Sequence, residues 1–254
     1  MGVTFETNGH IASITLDRPE ARNAINGEMA SGIESALDRY EKDDALWAAI
    51  LKANGPVFCA GADLKEIAAG NVVSLSTKKG GFAGITKRER TKPVIAAVTG
   101  SALAGGTEIA LACDMIICSD KTMFGLPEVK RSLVAAAGGL FRLPRAIGMA
   151  PALEVIMTGD PLSAQRAYEL GMVNKVVPEA QVVEEALKLA DRVATNAPLA
   201  VQASRRVAVR AFIDADDALW RVGYEATAQI MNTEDFKEGP RAFIEKRPPN
   251  WQGK

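Results

Sequence analysis

Two glutamates stand where their neighbours argue against them. Glu108 interrupts Ala102-Leu-Ala-Gly-Gly-Thr-Glu-Ile-Ala-Leu-Ala-Cys113, a run otherwise small or apolar, and Glu128 closes Met123-Phe-Gly-Leu-Pro-Glu128 behind a proline. A carboxyl among apolar neighbours is costly to ionise, so its pKa rises toward the range useful for proton transfer. Two glycine-rich turns accompany them, Phe58-Cys-Ala-Gly-Ala-Asp-Leu-Lys65 and Ala104-Gly105-Gly106, the second opening a helix. First-turn N–H groups have no partner inside a helix, and the macrodipole adds positive potential, which suits an oxyanion or a phosphate. Two carboxyls and two sets of exposed amides are equipment for chemistry beside a carbonyl. Taken singly, each turn is more simply a close-packed corner, and a solvated side chain is the ordinary state of a glutamate. Their separation along the chain says nothing about distance in space.

Composition narrows the alternatives. A chain of 254 residues with 48% hydrophobic content can bury a substantial core, and its formal net charge of -1 gives no pull toward nucleic acid or an anionic membrane. Cys59, Cys113 and Cys118 form no CxxC pair, and their odd number argues against a disulfide framework; they read as small buried hydrophobes in a reducing compartment. With one histidine, His10, and no Cys/His cluster, no zinc site is expected. No secretory signal and no bilayer-length apolar run are visible, so a soluble cytoplasmic protein is expected. GxxxxGK[ST] is missing, and no GxGxxG follows an expected strand. Arg205, Arg206 and Arg210 read as surface or interface residues rather than a nucleic-acid site.

The elements that must position these residues alternate between strand and helix. Asn8-Gly9 between Val3–Thr7 and Ile11–Leu16 predicts a hairpin, with His10 at a strand edge. Met29, Ile33, Leu37 and Tyr40 recur at helical spacing. Trp47–Leu51, Pro93–Val98 and Met115–Cys118 read as buried strands, and a short helix is expected from about Gly105 to Cys113. This is α/β architecture. Residues 69–92 have loop composition. From about Gly138 the chain becomes mostly helical, with a soft boundary near Pro198 that divides an α/β body, 1–197, from a helical region, 198–254.

The order of motifs joins the pieces. The two glutamate segments, the Phe58–Lys65 turn, Arg18-Pro-Glu-Ala-Arg-Asn-Ala-Ile25 and Thr158-Gly-Asp-Pro-Leu-Ser-Ala-Gln-Arg-Ala-Tyr-Glu-Leu-Gly-Met-Val-Asn174 together resemble the signature of the enoyl-CoA hydratase/isomerase (crotonase) family. The resemblance implies ββα units wound into a superhelix, followed by C-terminal helices used to assemble a homotrimer or a dimer of trimers. It implies a coenzyme A thioester substrate whose carbonyl oxygen accepts from the N–H groups of Ala62 and Gly105. Glu128 then matches the proton donor to the α-carbon, and Glu108 the partner that orients and activates water. The coenzyme is implied to lie along Arg22, Ala60, Asp63, Leu64 and Lys65, with Phe243 and Lys246 approaching from a neighbouring subunit. No metal or cofactor beyond the substrate's own coenzyme A is implied.

Both glutamates being present favours hydration of a 2-enoyl-CoA thioester, since isomerases of the family commonly manage with the second alone. Two departures bear on this. Ala135-Ala136 stands where typical short-chain hydratases carry Pro-Gly, in a loop expected near the reacting carbons. Gly80-Gly-Phe-Ala-Gly-Ile-Thr86 and Glu238-Gly-Pro-Arg-Ala-Phe-Ile-Glu-Lys246 resemble the carnitinyl-CoA dehydratase branch. The alternatives are therefore that dehydratase, an enoyl isomerase, or a non-catalytic acyl-CoA binding protein.

Overall fold

The computed structural model describes residues 2–254. An antiparallel hairpin opens the chain, β1 (Val3–Asn8) and β2 (Ile11–Leu16), with Asn8 paired to Ile11. The tight turn is therefore Gly9-His10, one residue later than Asn-Gly suggests, with Gly9 at φ +54°. His10 stacks on Trp47, ring centroids 3.5 Å apart, which is a packing role. Helix α1 (Gly27–Lys42) follows, capped by Asn26 accepting from Met29 N, and buries Met29, Ile33, Leu37 and Tyr40 as their spacing predicts.

One plan then repeats three times. β3 (Ala48–Ala53) leads to β4 (Val57–Cys59) and α2 (Leu64–Ala68). After a small hairpin, β5 (Ser76–Thr77) and β6 (Gly81–Phe82), β7 (Val94–Val98) leads to β8 (Ser101–Leu103) and α3 (Gly105–Ala112). β9 (Met115–Ser119) leads to β10 (Met123–Gly125) and a 3-10 turn at Pro127–Arg131. The rest is α4 (Gly139–Ile147), α5 (Met149–Thr158), β11 (Leu162–Ser163), α6 (Ala164–Glu169), β12 (Lys175–Val177) and α7 (Val182–Ala194), then α8 (Pro198–Ala208), α9 (Asp216–Met231) and α10 (Glu234–Glu245).

In each repeat the first strand enters a six-stranded sheet ordered β1-β2-β3-β7-β9-β12, and the second enters a four-stranded sheet ordered β11-β10-β8-β4. This is the expected winding of ββα units. Alternation along the long strands explains why they are apolar throughout: Ala48, Ile50, Ile95, Ala97 and Ile117 face α7, while Ala49, Leu51, Val94, Ala96, Val98 and Cys118 face the main core.

Residues 69–92 depart from a simple loop. The β5–β6 hairpin docks on α1, where Gly80 N donates to Glu34 Oε2 at 2.9 Å and both Lys79 and Arg88 pair with Asp38. Those two cations hold the Asp38 carboxyl down at about 2. Leu75, Ala83 and Ile85 are buried. Composition cannot show this, because the tethers are charges on a distant helix. Arg205 also turns inward: it bridges Asp114 at 2.8 Å and donates to Arg90 O, fastening α8 to the core. Removing one partner from a buried pair of this kind costs about 3–5 kcal/mol.

Candidate active site

β4, β8 and β10 run parallel, so their C-terminal ends share one edge of the small sheet. Three turns leave that edge: Ala60–Asp63, Ala104–Gly105 and Leu126–Glu128. The first two touch. A Cβ on Gly61 would lie 2.8 Å from Ala104 Cβ and 3.0 Å from Gly105 N, and Gly61 sits at φ +93°, so only glycine fits there.

The contact leaves two amides without acceptors. Ile25 bridges Ala62 in parallel fashion, with Ile25 N donating to Gly61 O at 2.8 Å and Asp63 N donating to Ile25 O at 2.9 Å. Such a bridge uses the groups on either side of Ala62 and turns its own N–H away. Among the described residues no acceptor is found for Ala62 N or for Gly105 N, the first amide of α3. Ala104 aims the latter from φ +52°, ψ −125°, a conformation that costs a non-glycine residue about 1–3 kcal/mol. Strain of this size at a turn marks a place where geometry is imposed by the surroundings.

Thr107 fastens α3 to β10. Its hydroxyl lies 2.7 Å from Ala102 O and 2.9 Å from Gly125 O, and it accepts from Gly125 N at 2.9 Å. One turn of helix separates Glu108 from the Gly105 amide, and two residues, Leu126 and Pro127, separate Gly125 from Glu128. Thr107→Val keeps the shape and leaves Gly125 N unpaired. The expected result is a stability loss of about 1–3 kcal/mol, read from denaturant unfolding.

Glu108 is 3% exposed, and its Oε1 accepts from Gly139 N at 2.9 Å. Burial pushes its carboxyl up to about 7; the Gly139 and Ala137 amides and the Arg142 guanidinium pull it back, and nearby Glu128 raises it further. Burial also raises Glu128, whose Oε2 is enclosed without a hydrogen-bond partner. The two carboxyls therefore sit close enough to feel each other in a poorly solvated place.

A raised carboxyl costs stability as it ionises. The folded state binds more protons than the unfolded chain between the ordinary glutamate pKa, 4.5, and about 7, so stability contributed here is intact below 4.5 and is lost as pH rises through 7. Glu108→Gln, which keeps the acceptor for Gly139 N, is accordingly expected to melt higher than the parent at pH 8 and equally at pH 4.5. The expected gain at pH 8 is on the order of a few kcal/mol.

A cavity of about 160 Å³ opens beside Glu128, walled by Leu126, Val129, Leu133, Ala135 and Ile156 among others. Ala135, in the loop where the sequence departs from the family pattern, forms part of that wall. A larger hollow of about 1630 Å³ lies between the core and α8–α9, lined in part by Arg90, Asp114 and Arg205 and by neither glutamate. Of the two, the smaller is the one that Glu128 borders.

The other expected residues fall into two groups. Arg22 is exposed at φ +52°, and its carbonyl accepts from Ala60 N at 3.1 Å, which sets it against the first turn. Leu64 and Lys65 are exposed in the first turn of α2. The Asp63 carboxylate is committed to the fold: it pairs with Arg18 at 2.7 Å and accepts from Lys65 N at 3.0 Å, and the Arg18 bond holds it below the usual carboxylate range. Phe243 and Lys246 are on α10 and its C-cap; Phe243 is exposed, and among the described residues no hydrogen bond from α10 reaches this edge. Sequence reasoning missed Thr107, Gly139 and Arg142. The Gly138-Gly139 pair before α4 was the available signal, since a Cβ on Gly139 would stand 3.1 Å from Glu108 Oε1. No group of three or more His, Cys, Asp or Glu among the described residues could hold a metal ion.

The family model for enoyl-CoA hydratase/isomerase matches residues 6–254. The chain belongs to that family. It is 41% identical over 254 residues to a carnitinyl-CoA dehydratase of Proteus mirabilis, covering 98% of this chain and 97% of the relative. It is 38% identical to an enoyl-CoA hydratase of Mycobacterium tuberculosis, covering 98% and 96%. The crystal structure of an enoyl-CoA hydratase from Mycobacterium tuberculosis superposes with a TM-score of 0.96 at 42% identity, over 100% of this chain and 99% of that one. This member of the enoyl-CoA hydratase/isomerase family thus shares the crotonase fold across its length.

Proposed function

We propose that the protein is a hydro-lyase that adds water reversibly, with syn geometry, to the double bond of a 2-enoyl-CoA thioester. The thioester oxygen is held by the N–H groups of Ala62 and Gly105, in the low-dielectric setting where such donors contribute most. Conjugation carries that polarisation to the β-carbon. Glu108 takes a proton from water as its oxygen attacks there, and Glu128 gives a proton to the α-carbon as the enolate collapses. Burial raises both carboxyls, and the neighbouring Glu128 raises Glu108 further, the direction that suits proton transfer. The observation that carries the reading is the meeting, on one sheet edge, of two acceptor-free amides and two burial-shifted carboxyls.

In this reading the coenzyme runs past Arg22, Ala60 and Lys65, with Asp63 fixing the turn and Leu64 flanking it, and nothing beyond the thioester itself is required for turnover. Residues 198–254 form the assembly region of a homotrimer or dimer of trimers, supported by the exposed Phe212, Trp220, Tyr224, Phe243 and Ile244. Phe243 and Lys246 then reach the coenzyme of a neighbour. Three free thiols and the want, among the described residues, of any helix long and apolar enough to cross a membrane fit a cytoplasmic setting.

A second reading, dehydration of carnitinyl-CoA, has the support of the Proteus mirabilis relative. Mixing the protein with crotonyl-CoA and following the conjugated-enoyl absorbance tests the main reading. Loss of absorbance at catalytic protein concentration is expected; saturable binding with constant absorbance would favour a mere acyl-CoA binding protein.

A further inference from the structure

We propose that the segment Leu133–Ala135 makes this site selective for a compact, uncharged acyl group and turns away one that ends in a quaternary ammonium. The inference rests on the hydration reading and names its substrate class. It runs against the name of the Proteus mirabilis relative, whose substrate carries a trimethylammonium on the carbon next to the β-carbon.

The cavity beside Glu128 is walled by leucine, valine, isoleucine and alanine, with Glu128 its one polar side chain. Leu126 and Ala135 are buried and form the floor, whereas Leu133 and Val134 are exposed and form the rim. A trimethylammonium has no N–H to donate. It is recognised by aromatic faces or by a carboxylate free to stay ionised, and this wall contains no aromatic ring. Stripping water from a cation against aliphatic side chains is unfavourable without a counter-charge.

Glu128 cannot serve as that counter-charge without losing its task. A fixed cation one carbon beyond the reacting centre would hold Glu128 ionised, and the proton required at the α-carbon would be missing. Glu108 is the other acid nearby; its Oε1 already accepts from Gly139 N, and the neighbouring Arg142 guanidinium would repel a second cation. An acyl tail of hydrocarbon meets none of these costs. The volume, about 160 Å³, resembles the dry apolar cavities of roughly 150 Å³ that accept benzene, which is room for about six non-hydrogen atoms.

The test compares kcat/KM for crotonyl-, hex-2-enoyl- and crotonobetainyl-CoA by loss of enoyl absorbance. The hydrocarbon thioesters are expected to turn over, with crotonobetainyl-CoA slower by about 100-fold or more. Val134→Glu places a carboxylate on the exposed rim, apart from Glu128, and is expected to narrow that ratio by about tenfold. A crotonobetainyl-CoA rate equal to or above the crotonyl-CoA rate would overturn the inference and leave the hydration reading standing. Failure to consume any of the three would sink the hydration reading instead. Competition binding then reads the pocket directly: tighter hexenoyl-CoA upholds the inference, and equal or tighter crotonobetainyl-CoA overturns it.

Discussion

Glu128→Gln is expected to lower kcat for enoyl hydration by about 10²–10⁴, the usual worth of a positioned proton donor. Substrate affinity should change little, because the contacts that hold the thioester are main-chain amides and apolar walls. The substitution is unusually clean. Glu128 Oε2 has no hydrogen-bond partner to lose, and an amide oxygen can still accept from the residue's own backbone N–H. A melting temperature equal to or above the parent's at neutral pH, with collapsed turnover, is the expected pair of results from thermal unfolding and steady-state kinetics, because burial raises this carboxyl too. A large fall in melting temperature with turnover lost in proportion would make Glu128 a structural residue.

Glu108→Gln is expected to reduce hydration by a similar factor, about 10²–10⁴, yet leave a second activity in place. Proton exchange at the α-carbon of a saturated thioester needs an oxyanion site and one base at that carbon, and no water attacks. Exchange of butyryl-CoA α-protons in heavy water, followed by proton NMR, should therefore survive Glu108→Gln and vanish in Glu128→Gln. Glutamine at 108 still accepts from Gly139 N, so the loop that carries Gly139 keeps its anchor. Loss of exchange in both variants would mean that the two roles are not divided as proposed. The rising limb of the hydration pH profile, set by the Glu108 carboxyl at about 7, should also disappear in Glu108→Gln alone.

Sequence legibility followed element length. α1 is periodic over several turns, and the long central strands of the six-stranded sheet are apolar runs of five or more residues; that spacing and those runs named them. The four-stranded sheet escaped, because β4, β8 and β10 have three residues each and β11 has two, too few to express a period. Yet that sheet is what carries all three turns to one edge. Glu108 and Glu128 were visible as charges in apolar company, which is a local property. Their nearness is a property of the parallel pairing between β8 and β10 and of the Thr107 clip, and it came from resemblance rather than from spacing. The turn at Ala104-Gly105-Gly106 was legible from its glycines, but its strained residue was not: alanine at φ +52° contradicts its own preference, so no propensity argument could find it. Gly139 could not be seen as the amide that holds Glu108, because that bond joins residues 31 apart in the chain.

The most direct measurement is a crystal structure with an unreactive thioester analogue of crotonyl-CoA bound. The thioester oxygen is expected within about 2.7–3.1 Å of both Ala62 N and Gly105 N, with Glu128 over the α-carbon and Glu108 over the β-carbon. A thioester oxygen facing solvent, or one of those amides turned to a protein carbonyl in the complex, would contradict that arrangement.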